Sequence, residues 1–195
     1  MSSLLPVEAA QARLLALRVP LPPENIAFLE SLGCYLSQDV IAQRDQPAAP
    51  LSAMDGYAIR FADLPGPWTI AGEIPAGAAP THPLAAGEAM RIFTGAVVPD
   101  GADAVLIQED AAFDGARLGL TGDGPPASGA HIRARASDFA AGAPLLKAGT
   151  RLTPGAIAAA IMGGTAQLVV GRRPRVAILT TGDELVQPGR ALAPG

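Results

Sequence analysis

Asp55 stands beside Gly56, immediately before the apolar run Tyr57-Ala58-Ile59. That order puts a carboxylate at the entrance of a short strand, where backbone amides and side chains can converge on a small polar ligand. On local physics alone a plain Asp-Gly turn is the simpler account. A second candidate is Thr180-Thr181-Gly182-Asp183-Glu184-Leu185, which follows the apolar run Val176–Leu179. Ligands of open α/β sheets bind beyond the carboxyl ends of strands. Gly182 would let the backbone approach an anion, and Asp183 with Glu184 could hold a hard cation such as Mg²⁺, directly or through water. The alternative is a capping box, with Thr181 as N-cap and Glu184 at its third position; Pro188 limits the helix that could follow.

Two further stretches carry usable chemistry. Met90–Ala96 leads into Pro99–Val105 and the acids Glu109-Asp110. A hairpin explains most of this pattern, and Thr94-Gly95 at a strand end can also present a hydroxyl and a bare amide to an oxyanion. His131–Asp138 holds Arg133 and Arg135 at alternate positions, on one face if extended. They could bind phosphate or a tetrahedral oxyanion through bidentate contacts; solvated surface charge is the commoner role of such pairs. His82 and His131 have no Cys or second His at ligand spacing, so neither a zinc motif nor a Ser-His-Asp triad suggests itself. No P-loop or dinucleotide-binding glycine pattern is present.

These residues must be positioned by short elements. With 49% apolar and 16% charged residues the chain can build a core, and with 4% aromatics that core is aliphatic. The 22 glycines and 19 prolines cut the chain into short pieces and argue against a helical bundle. A net charge of −4 with no Lys/Arg tract argues against a phosphate-neutralising nucleic-acid surface. Cys34, alone, reads as a small core filler in keeping with a reducing compartment. No signal peptide and no apolar run long enough to span a membrane is visible.

Along the chain, Val7–Val19 predicts an amphipathic helix stopped by Pro20. A shorter helix is expected from Pro22-Pro23-Glu24 to Leu32, with Gly33 as its left-handed stop. Tyr35–Ala42 reads as extended. From about residue 51 to 130, apolar runs alternate with turn residues: Tyr57–Arg60, Trp68–Ala71, Met90–Phe93, Ala104–Gln108 and Arg117–Leu120. Thr153, Pro154 and Gly163-Gly164 then bracket a helix, and Leu168–Val170 and Arg175–Thr181 have strand character. The last run is apolar at consecutive positions, as in a strand buried on both faces of a parallel sheet. The crossovers such a sheet needs exceed the residues that follow, so a polypeptide cut short within this sheet is expected. The expected fold is multidomain α+β. A discontinuous helix-containing domain (1–50 and 134–173) carries an inserted, mostly β domain (51–133), and 174–195 begin a truncated α/β domain.

Three strings together resemble the molybdopterin molybdenumtransferase family (bacterial MoeA and the E domain of gephyrin). They are Pro50–Ala58, with Ser52 and Met54-Asp55-Gly56-Tyr57; Arg91–Val105, with Thr94-Gly95-Ala96; and Thr181–Leu185. Arg133, Asp138 and Gly142 match a fourth family pattern, but Ala136 stands where that pattern has glycine, a residue that accepts positive φ more readily. The resemblance implies an enzyme that inserts molybdate into adenylylated molybdopterin with Mg²⁺, releasing AMP. It implies a cytoplasmic homodimer with its site between the β domain of one subunit and the third domain of the other. Asp55, Asp138 and Glu184 would be the catalytic acids, and Ser52, Thr94, Arg133, Gly182 and Asp183 the substrate contacts; which acid would bind metal stays open. A dimerisation or scaffolding module of the same architecture is the rival reading, and a generic anion- or nucleotide-binding β domain a third.

Overall fold

The computed structural model describes residues 5–19, 21–182 and 185–191. Helix α1 is Val7–Ala16, ending three residues before the expected Val19. None of its side chains is buried, and Leu14, Leu15, Leu17 and Val19 stand exposed. The expected second helix does not form. Pro23–Ile26 is instead strand β1, followed by one 3₁₀ turn at Phe28–Glu30. Pro22 and Pro23 push the residue before each into extended backbone, and β1 finds a strand partner late in the chain. Gly33 has the predicted positive φ, 79°.

The remaining early strands are β2 (Val40–Ile41), β3 (Leu51–Ser52), β4 (Gly56–Ile59), β5 (Thr69–Ile74) and β6 (Glu88–Ile92). Then come β7 (Ala104–Ile107), β8 (Ala111–Phe113), β9 (Leu118–Leu120), β10 (Ile132–Arg133), β11 (Pro144–Leu146), helix α2 (Pro154–Met162) and β12 (Leu168–Gly171). Helix α2 follows its local signals: the Thr153 hydroxyl accepts from the Ala156 amide at 3.2 Å, Pro154 is in the first turn, and Gly163 ends it.

One four-stranded sheet, in the order β5-β6-β4-β7, carries the centre of the molecule. Strand β4 lies between β6 and β7 and is antiparallel to both. The hairpin reading of residues 90–105 is therefore corrected: β6 and β7 are each hydrogen-bonded to β4 and not to each other. Strands β5 and β6 are parallel, and residues 75–87 provide the crossover that parallel pairing needs.

Alternating side chains separate the two faces of this sheet. Ala58, Met90, Ile92 and Val105 pack with Ile74, Leu84, Ala96 and Val98, while Ile59, Ala89, Ala104 and Leu106 pack with Trp68 and Leu118. Both faces are thus buried, the second partly under the β8–β9 hairpin. A separate core gathers Cys34, Leu36, Val40, Leu152, Ala160, Leu168 and Val170. It joins early and late segments of the chain, for β1 pairs with β12 and β2 with β11. Cys34 is buried in it as the filler expected. The chain enters and leaves the four-stranded region side by side, because β3 and β10 pair with Ser52 opposite Ile132.

After β12 the expected strand at Arg175–Thr181 is absent. Val176, Ile178 and Leu179 are 77–88% exposed, and no described strand pairs with them. A run of this kind needs strands at its edges and cover on both faces, and the described residues offer neither.

Candidate functional site

Asp55 occupies the bend between β3 and β4. One carboxylate oxygen, Oδ1, accepts hydrogen bonds from both the amide and the hydroxyl of Thr94, each at 2.8 Å. Thr94 sits just past the end of β6, so the strand order brings the two together across 39 residues of sequence. The Thr94 amide, then its hydroxyl, hold the Asp55 carboxyl below the usual carboxylate range; loss of hydration from neighbouring atoms opposes them, and the Arg91 charge adds to the lowering. Asp55 is thus an ionised acid with its second oxygen, Oδ2, engaged by no described hydrogen bond.

Gly56 is not a turn residue. It is the first residue of β4, paired with Ile92 on one side and Ile107 on the other. A Cβ at this position would collide with the backbone carbonyl of Leu106. Glycine is required for close approach of strands rather than for left-handed backbone. This settles the choice between turn and strand entrance in favour of the entrance.

The loop after β6 is laced to β3. The Gly95 amide donates to Ser52 O at 2.8 Å and the Ser52 amide to Ala96 O at 2.9 Å. The Ser52 hydroxyl is buried and donates to Met54 O at 2.6 Å, which shapes the bend that carries Asp55. Arg133, in β10, binds Asp138: its Nη2 reaches both carboxylate oxygens, at 2.8 and 2.9 Å. Arg135 pairs with Asp45, whose other oxygen accepts from the Ala141 amide at 2.8 Å. Both arginines of the cluster are therefore neutralised within the chain. Between Arg133 and Asp138 the backbone turns at Ala136, which takes φ 59° and donates its amide to Pro47 O at 3.0 Å.

Asp55–Thr94 and Arg133–Asp138 form two constellations. They are joined through backbone, by the β3–β10 pairing and the Ala53 amide donating to His131 O at 2.8 Å, and by no described side-chain bond. Gly182 has φ 140° and accepts from the Leu185 amide; Asp183 and Glu184 lie outside the described residues. Among the described residues no group of three or more His, Cys, Asp or Glu side chains could hold a metal ion.

Two residues beside Asp55, Arg91 and Gln108, were given no site role from the sequence. Arg91 lies opposite Tyr57 in the β4–β6 register, and its guanidinium stacks 5.1 Å from the Tyr57 ring centre and 5.0 Å from that of Phe93. It donates to Gln108 Oε1 at 2.6 Å, and the Gln108 amide donates to Asp55 O at 3.1 Å. A single arginine in a strand has no spacing signal; only the register reveals its neighbours.

Residues 5–164 match the model of the MoeA N-terminal region, domains I and II. The chain belongs to this family. The match includes the strings around Asp55, Thr94 and Arg133–Asp138 and ends before Thr180. Among curated relatives of this MoeA chain is the molybdopterin molybdenumtransferase of Nostoc sp., 41% identical over 170 residues, which cover 84% of this chain and 38% of the relative. That of Haemophilus influenzae is 33% identical over 197 residues, covering 98% of this chain and 48% of the relative. The chain thus spans less than half the length of these relatives. A solved structure of the molybdopterin biosynthesis MoeA protein from Pyrococcus horikoshii superposes with a TM-score of 0.82 at 30% identity, covering 98% of this chain and 50% of that one. The mixed α/β architecture of small sheets and few helices is the MoeA one.

Proposed function

We propose that this chain is the amino-terminal portion of a molybdopterin molybdenumtransferase, which inserts molybdate into adenylylated molybdopterin and releases AMP. The observation that carries the proposal is the Asp55 carboxylate, held ionised by Thr94 at the mouth of β4, in a chain of the MoeA family. In this reading residues 1–50 and 134–173 form one discontinuous domain, 51–133 the inserted β domain, and 174–195 the start of a third. Asp55, Asp138 and Glu184 are the acids, and Ser52, Thr94, Arg133, Gly182 and Asp183 contact substrate.

Molybdate is a dianion, and the substrate adds a phosphoanhydride. Catalysis here depends on positioning and charge neutralisation rather than on a nucleophilic side chain. Asp55 can accept a proton at Oδ2 while Thr94 keeps Oδ1 oriented. Arg133 binds Asp138 through Nη2 alone, so its Nε and Nη1 can meet an oxyanion while the pair holds; the pair is also exposed, and opening such a pair costs little. Among the described residues no three His, Cys, Asp or Glu side chains converge on a metal ion, so Mg²⁺ would be carried mainly by phosphate oxygens and water. When bound it would neutralise phosphate charge. A homodimer is part of the reading, supported by the uncovered apolar side chains of α1. A cytoplasmic setting belongs to the same reading.

The test is molybdate insertion in vitro. In the enzyme that carries this chain, Asp55→Asn should lower turnover by about tenfold or more; undiminished turnover overturns the role of Asp55. The 195-residue polypeptide by itself should be inactive, and robust turnover by it would refute the partition of the site.

A further inference from the structure

Asp55 is anchored from two directions, and Thr94 accounts for only one of them. The other is a closed ring of contacts across three adjacent strands. Gln108, just past the end of β7, donates its backbone amide to Asp55 O at 3.1 Å. Its side-chain oxygen accepts from Arg91 Nη2 at 2.6 Å. Arg91, on β6, also donates through Nη1 to Gly56 O at 3.4 Å. Asp55 and Gly56 are consecutive, so the ring returns to its start. The Arg91 guanidinium is fixed further by the Tyr57 and Phe93 rings, each about 5 Å away.

We propose that Arg91 and Gln108 are positioning residues for Asp55: they lock the backbone of residues 55–56 while Thr94 locks the carboxylate. The inference deepens the proposed function and rests on it for its catalytic consequence. A planar fork is what the arrangement uses. One guanidinium has to donate in two directions while stacking against flat rings, which an ammonium group does not reproduce. A cation of merely electrostatic importance would need neither the Gln108 bond nor the stacking. The carboxylate of Glu109 already accepts from Gln108 Nε2 at 3.2 Å, which turns the Gln108 oxygen toward Arg91.

The test separates positioning from charge and from substrate contact. The amide proton of Thr94 reports its bond to Asp55 by NMR on this chain. Arg91→Lys keeps the charge and loses the fork; it should shift the Thr94 amide upfield at neutral pH and speed its hydrogen exchange several-fold. Arg91→Gln should do the same and also move the pH midpoint of that signal upward. Intact Trp68 fluorescence serves as the fold control. Gln108→Ala opens the ring from its other side and should reproduce the Arg91→Lys shift if an Arg91 variant fails to fold. A Thr94 signal unchanged in both Arg91→Lys and Gln108→Ala overturns the proposal.

In the molybdate-insertion assay on the enzyme that carries this chain, Arg91→Lys should lower kcat by about tenfold and leave KM for adenylylated molybdopterin within about twofold. A loss confined to KM would make Arg91 a substrate contact and overturn positioning. Altered Thr94 signals, with no molybdate insertion by the unmodified enzyme that carries this chain, would instead overturn the functional reading, with the positioning of Asp55 upheld.

Discussion

Replacing Ala136 with glycine should stabilise the protein. Ala136 holds φ 59°, the left-handed region, at the corner of the loop from Arg133 to Asp138. For an L residue with a Cβ that conformation costs about 1–2 kcal/mol. Glycine removes the cost, but its greater freedom in the unfolded chain returns about 0.5–1 kcal/mol. The net gain expected is about 0.5–1 kcal/mol, since the Ala136 side chain is a single methyl and the amide bond to Pro47 O survives the change. For a chain of this size that raises the melting temperature by about 1–4 °C. Urea unfolding followed by circular dichroism, with calorimetry alongside, measures it. Ala134→Gly is the control: Ala134 is two residues away without positive φ, so the same substitution there should destabilise. A midpoint for Ala136→Gly equal to or below that of the unmodified protein, at unchanged m, would refute the assignment of strain to this corner.

Gly56→Ala should destabilise by about 2–3 kcal/mol or more, because the obstructing atom is the Leu106 backbone carbonyl, which cannot rotate away; thermal melts check it. Thr94→Val keeps the amide bond to Asp55 and deletes the hydroxyl one, so the Asp55 carboxyl should titrate closer to the ordinary range, as read by carboxyl ¹³C shifts. Asp45, lowered by the Ala141 amide and then by Arg135, contributes stability that is complete above its unfolded pKa of about 3.9 and lost as pH falls through the lower folded value. Melting temperature should therefore drop steeply below about pH 4, less steeply in Asp45→Asn.

What could be read from sequence was local or strictly periodic. Thr153, Pro154 and Gly163 place α2 through contacts within a few residues, and the apolar runs at 57–60, 90–93 and 104–108 each yield a strand. The segment 22–32 misled because Ile26, Phe28, Leu29 and Leu32 fit a helical face. Its prolines and the pairing of β1 with β12 decide otherwise, and Leu29 ends up 98% exposed. The order β6-β4-β7 was illegible, since the connection from β6 to β7 looks like a hairpin until β4 is placed between them. The candidate site divides in the same way. Asp55 and Thr94 carry their own motifs, whereas Arg91 and Gln108 acquire meaning only when neighbouring strands deliver them to the same end of the sheet.

The paired passage of β3 and β10 has a mechanical consequence. Two hydrogen-bonded strands side by side tie together, at one point, chain that is some eighty residues apart in sequence. Asp55 lies three residues beyond β3 and Arg133 lies within β10, so a change that parts this pair would disturb the footing of both side chains at once.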